Sequence, residues 1–132
     1  MSQENVEIVG RMFAAWNARD QERLRELWHP DAIVRPAAGW PEPGPFVGRD
    51  AVMRSFEQLR EAWGEADTLE ATGDIVDIAD RVVVRVVWRA VGHGPDLEMR
   101  VTHIYTVRDD RLVTMESFWD HDVALKAARL AE

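Results

Sequence analysis

The chain of 132 residues contains no cysteine. Disulfides, thiol catalysis and thiolate metal sites are thereby excluded, and the absence fits a reducing cytoplasm. Basic charge is in short supply: 16 lysines and arginines stand against 24 acids, for a formal net charge of −8. Nucleic-acid binding through a basic surface is therefore not expected. No apolar run approaches the roughly 18 residues needed to span a membrane, and no block of like charge forms a tail. The first residues, MSQENVEIV, lack the basic-then-apolar order of a signal peptide, so the expected location is cytoplasmic. No glycine-rich phosphate loop is present. The four histidines lack the i, i+4 or clustered spacing of metal ligands, and neither metal nor cofactor is expected. Internal repeats and linkers are also missing, which leaves residues 1–132 as a single domain with a real core.

Tryptophan, by contrast, is abundant. Trp16, Trp28, Trp40, Trp63, Trp88 and Trp119 make six in a short chain, either as core or as walls of a ligand cavity. Val6, Val9, Phe13 and Trp16 recur at helical spacing over residues 3–18, with Ser2 as candidate N-cap. Asp20 can cap a shorter helix bearing Leu24, Leu27 and Trp28, ended by Pro30. Ala32–Arg35 reads as a short strand. Pro36–Pro45 holds four prolines and two glycines around Trp40, a loop expected to fold over an opening as a lid. Val52, Phe56, Leu59 and Trp63 stripe a third helix over about 49–63. Thr68–Ile78 reads as a strand broken near Gly73, and Arg81–Val91 is the strongest strand. Gly92-His93-Gly94-Pro95 makes a solvated hairpin tip. A last hairpin pairs Leu97–Val107 with Leu112–Trp119, and Val123–Leu130 closes the chain as a helix. Helices segregated from a largely antiparallel sheet give the α+β class.

Strand alternation divides the last hairpin into faces. Arg100, Thr102 and Ile104 share one face with each other; Leu97, Met99, Val101, His103, Tyr105 and Val107 share the opposite one. Placing the first set inward, with Ser117 and Trp119, gives a pocket with a cation, two hydroxyls and a large aromatic. Arg100 would then anchor an anionic or enolate oxygen, or else pair structurally with an acid. The second set would form an apolar outer face suited to a homodimer. A register slip of one residue would instead put His103 and Tyr105 inside as an acid–base pair.

Four segments, ENVEIVGRMFAAWNARD, LRELWHPDAIVRP, GPFVGRDAVMRSFEQL and VTHIYTVRDDRLVTMESFWD, together resemble the SnoaL-like branch of the nuclear transport factor 2-like superfamily. The resemblance implies a curved, antiparallel or mixed sheet wrapped around three N-terminal helices to leave a conical cavity. It also implies relatives ranging over ketosteroid isomerases, polyketide cyclases, an epoxide hydrolase, dehydratases and non-catalytic binders, so the fold alone assigns no reaction. Laid over the isomerase pattern, the first-helix tyrosine falls on Met12, the base aspartate on Pro36 and the oxyanion aspartate on Thr102. Met12 and Pro36 have no ionisable group, which excludes isomerase chemistry of that type. Laid over the epoxide hydrolase pattern, Arg-x-Asp becomes Arg100-x-Thr102 and the last aspartate becomes Ser117.

The candidate catalytic residues are Arg100, Thr102, Ser117 and His103, with Glu98, Asp31 and Asp120 as further acid–base candidates. Met12, Trp16, Trp40, Phe56, Trp88, Ile104 and Trp119 are the candidate ligand walls. The expected partner is a small apolar or aromatic molecule. The chain is either a cofactor-independent isomerase, cyclase, dehydratase or hydrolase, or a non-catalytic binder using the same cavity or the outer sheet face. A blander alternative is a dimerising domain whose own tryptophans fill the cavity.

Overall fold

The apolar stripe at the start of the chain becomes helix α1, Ser2–Ala18, in a computed structural model that describes residues 2–73, 75–92 and 94–130. Side chains at positions 2, 63–65, 92, 94 and 130 lie outside the description, as does His93; the expectations for the Ser2 cap, the Trp63 end of the stripe and the His93 tip therefore fall outside the described residues. α1 buries Ile8, Val9, Met12, Phe13 and Trp16. Asp20 caps α2, Gln21–Leu27, by accepting the Arg23 backbone N–H at 3.0 Å. The helix stops before Pro30 is reached. Trp28 is already extended, with φ −96° and ψ 133°, and opens strand β1, Trp28–Arg35. It is fully buried as a strand residue, not as the last of a helical stripe.

After the proline-rich loop, β2, Phe46–Val47, returns antiparallel beside β1. Gly48, at φ 91°, then turns the chain into α3, Arg49–Trp63, which buries Val52, Met53 and Phe56. The broken strand expected over 68–78 is two strands: β3, Gly64–Ala71, and β4, Val76–Ile78. The earlier start of β3 brings Asp67 into the sheet. β5, Arg81–Gly92, β6, Gly94–Arg108, and β7, Arg111–Phe118, follow as a meander, and α4, His121–Leu130, ends the described chain.

The strands form one mixed sheet in the order β2-β1-β7-β6-β5-β3, with β4 also on β5. Only the β1–β7 pairing is parallel among these ladders. The sheet curves around α1, α2 and α3, whose apolar faces meet Val82, Val84, Val86, Trp88 and Tyr105 in the main core. α4 lies on the opposite face, where Ala124 and Ala128 pack on Val83 and Ile104. No described helix is long and apolar enough to cross a membrane.

Candidate active site

β6 decides which side chains reach the cavity. Met99, Val101, His103 and Tyr105 point inward and line it. Arg100, Thr102 and Ile104 point outward, which corrects the expected orientation of the strand. Alternation separates the two sets, but apolar character does not tell them apart, because α4 covers part of the outer face and makes that face apolar as well. Ile104 packs under α4, and Thr102 Oγ1 lies 3.1 Å from His121 Nδ1 at the start of that helix. The Arg100 side chain is 67% exposed and its guanidinium meets Glu98 at 2.6 Å, so it is a surface ion pair and not an anchor in the cavity. Ile104, turned to α4 on the opposite face of the sheet, is not a cavity wall. The stripe Leu97, Met99, Val101, Tyr105 and Val107 packs inward against the main core and offers no outer face to a second subunit.

The cavity encloses about 290 Å³ between the sheet, α1, α3 and the 36–45 loop. Met12, Trp16, Trp40, Phe56, Trp88 and Trp119 all line it. Trp40, midway along the loop, is half-buried against the opening. Trp119 is 50% exposed, and its indole N–H donates to the Ala38 carbonyl at 2.8 Å, tying the loop to the end of β7. Ser117 faces the cavity and sits across the ladder from His103. Pro36 also lines the cavity.

Polar groups are few and gathered. His103 Nδ1 lies 2.7 Å from Tyr105 Oη, with His103 only 8% and Tyr105 0% exposed. Burial pulls the His103 pKa down to about 4, so the imidazole is neutral at pH 7. Burial likewise pushes Tyr105 well above the usual phenol range and keeps it protonated. The remaining acid–base candidates stay out: Glu98 pairs with Arg100, Asp31 is 79% exposed beside His29, and Asp120 caps α4 through the Val123 backbone N–H at 3.0 Å. Among the described residues no three His, Asp or Glu side chains gather as metal ligands would.

Sequence reasoning missed two features. Ser55, Gln58 and Glu42 add polar atoms at the mouth, yet on a helix and a loop they look like ordinary surface residues. Asp67 is a buried carboxylate behind the wall, bonded to the Trp16 and Trp88 indoles at 2.7 Å each and to Arg19 at 2.9 Å. Nothing in GEADTLEA distinguishes it from a solvated acid. Arg60 lies on the same carboxylate at 3.2 Å; burial lowers its pKa, and the Asp67 charge opposes that shift.

Residues 9–115 match the family model of the SnoaL-like domain. The chain belongs to the SnoaL-like family. Solved structures similar to this SnoaL-like domain include Bal32a from a soil-derived mobile gene cassette, 21% identical over 88% of each chain with a TM-score of 0.79. TerC, co-crystallised with polyporic acid, is 21% identical and covers 96% of this chain and 98% of its own, with a TM-score of 0.76. A putative polyketide cyclase from Sinorhizobium meliloti is 23% identical, covers 84% and 93%, and has a TM-score of 0.69. Likeness at this level establishes the fold. No curated protein matches the chain.

Within the SnoaL-like domain the inward positions of β6 bear an imidazole and a phenol and no carboxylate. The overlay on Arg100-x-Thr102 is therefore one residue out of phase with the cavity. A neutral His–Tyr pair offers one donor and one acceptor without burying a net charge. If Tyr105 donates to Nδ1, the imidazole carries its proton on Nε2. If Nδ1–H donates to Tyr105, Nε2 is left as a base. Either arrangement can hold a hydroxyl or carbonyl oxygen.

Proposed function

We propose that this SnoaL-like domain takes a small, mostly apolar, cyclic molecule bearing a hydroxyl or carbonyl, and converts it without a cofactor in an isomerisation, cyclisation or hydrolysis. The observation that carries this reading is the 2.7 Å His103–Tyr105 hydrogen bond on the inner wall of an aromatic-lined cavity. Apolar walls favour an apolar ligand body, and the buried His103–Tyr105 pair orients one oxygen. A proton leaving the ligand would move to His103 while the ligand oxygen accepts a hydrogen bond from Tyr105. The resting imidazole is a weak base, but a developing anion beside it favours the imidazolium and raises its basicity as the proton moves. Two structural relatives lend support: TerC crystallises with polyporic acid, and the protein from Sinorhizobium meliloti is described as a putative polyketide cyclase.

A non-catalytic binder is the second reading. Its support is the lack, among the described residues, of a buried carboxylate facing the cavity: Asp67 is turned to two indoles and two arginines, and Glu42 lies on the exposed loop. One experiment separates the two. Protein purified from cells is denatured and its released occupant identified by mass spectrometry; that compound is then incubated with fresh protein. An enzyme converts it, and His103→Gln slows conversion by about 10²–10⁴-fold. A binder returns it unchanged.

A further inference from the structure

Away from His103, the cavity wall is built by Trp16, Trp88 and Leu69. Trp88 faces Met99 across the β5–β6 ladder, whereas His103 faces Val84. Four strand residues separate the two stations, about 13 Å at the usual rise. Behind this wall, outside the cavity, the Asp67 side chain is wholly buried. Its Oδ2 accepts from Trp16 Nε1 and from Trp88 Nε1, both at 2.7 Å. Its Oδ1 accepts from Arg19 Nη1 at 2.9 Å and lies 3.2 Å from Arg60 Nε. The Arg60 guanidinium also sits 4.0 Å from the centroid of the Trp16 ring, pinning that indole from a second side.

The N–H is an indole's only polar group. With both N–H groups committed to Asp67, the two tryptophans present carbon alone to the cavity. We infer that Asp67 is a positioning residue for ligand selection: by holding the Trp16 and Trp88 N–H groups out of the cavity, it makes that end unable to satisfy a polar atom. The ligand admitted is then one whose oxygen is confined to the other end. This rests on the reading that the ligand oxygen meets His103 and Tyr105.

The probes are 2-naphthol and naphthalene-2,6-diol, one ring system with a hydroxyl at one end or at both. Titration calorimetry on the native protein should show 2-naphthol binding at least about tenfold tighter, because the second hydroxyl of the diol loses water and finds no partner. Asp67→Asn should bring the ratio towards one. Its amide oxygen is drawn to the two guanidinium groups, so its NH₂ faces the two indole N–H groups and releases them toward the cavity. Indole ¹H–¹⁵N spectra provide a second readout: the Trp16 and Trp88 N–H groups should exchange slowly with solvent in the native protein and much faster in Asp67→Asn, and fast exchange in the native protein would overturn the inference.

Equal binding of both probes by the native protein overturns the inference, and so does an unchanged ratio in Asp67→Asn. The native ratio and native spectra decide even where Asp67→Asn does not fold. If 2-naphthol binding ignores both His103→Phe and Tyr105→Phe, the oxygen does not meet that pair, and the underlying reading falls along with this inference. If binding depends on the pair but the Asp67→Asn ratio does not move, this inference alone falls.

Discussion

His103 and Tyr105, two residues apart on β6, face the same interior, and their side chains are joined at 2.7 Å. The rings meet edge to face with centroids 5.4 Å apart, and Phe13 of α1 packs edge-on against Tyr105 at 6.2 Å. The pair is therefore held from both the sheet and the helix layer, away from water, with each member uncharged.

Titration of His103 gives the first prediction. Its folded pKa, about 4, lies below the ordinary 6.5. Between those values the unfolded chain binds the proton and the folded chain does not, so stability rises with pH across that window and is lost as pH falls from 6.5 towards 4. A shift of this size is worth about 3 kcal/mol. Urea unfolding at a series of pH values should show that loss in the native protein beyond what His103→Gln shows. Matching pH slopes in the two proteins would mean that His103 is not buried neutral.

Tyr105→Phe removes the phenol oxygen and leaves His103 Nδ1 without this partner. Stability should fall by about 1–3 kcal/mol, the usual cost of orphaning a buried polar group, and the imidazole ¹⁵N resonances should shift. Unchanged resonances would mean that the hydrogen bond does not form in solution.

Asp67→Ala should cost about 3–5 kcal/mol, since Arg60 keeps its charge beside a hole and two indoles lose their acceptor. Thermal unfolding tests this directly. A loss below about 1 kcal/mol, the range of an exposed pair, would show that water reaches the cluster.

Arg100→Met should change stability by no more than about 0.5 kcal/mol, because the exposed Arg100–Glu98 pair is screened by solvent. Affinity for 2-naphthol should be unaffected. A tenfold loss would bring Arg100 back to the cavity.

Trp119→Phe breaks the indole bond to Ala38 and should speed amide exchange over residues 36–45 with little change in overall stability. Trp40 fluorescence, isolated by comparison with Trp40→Phe, should respond to 2-naphthol in the native protein. Silence of Trp40 would mean that the loop does not close on the ligand.

Much of the fold was legible because local chemistry and burial agree. The stripe of Val52, Phe56 and Leu59 marks α3, Asp20 caps α2, and the valine run of β5 alternates as a strand must. Departures came where a neighbour overrode a local signal. Trp28 leaves the helical stripe because its side chain is buried as the first residue of a strand that pairs with β7. Asp67 lies one residue before the strand that β-propensity marks out, and only pairing with β5 draws it in.

For the site, sequence by itself determined two exclusive sets on β6, one with Arg100 and Thr102, the other with His103 and Tyr105, because side chains alternate with a period of two. It also marked out Met12, Trp16, Trp40, Phe56, Trp88 and Trp119, all of which line the cavity. Which set faces inward was left to tertiary structure. Both faces of β6 are apolar enough to be buried, one against α1 and α3 and the other against α4, so hydrophobic patterning carries no sign. The packing of α4 on Val83 and Ile104 supplies that sign, and with it the choice of His103 and Tyr105 over Arg100.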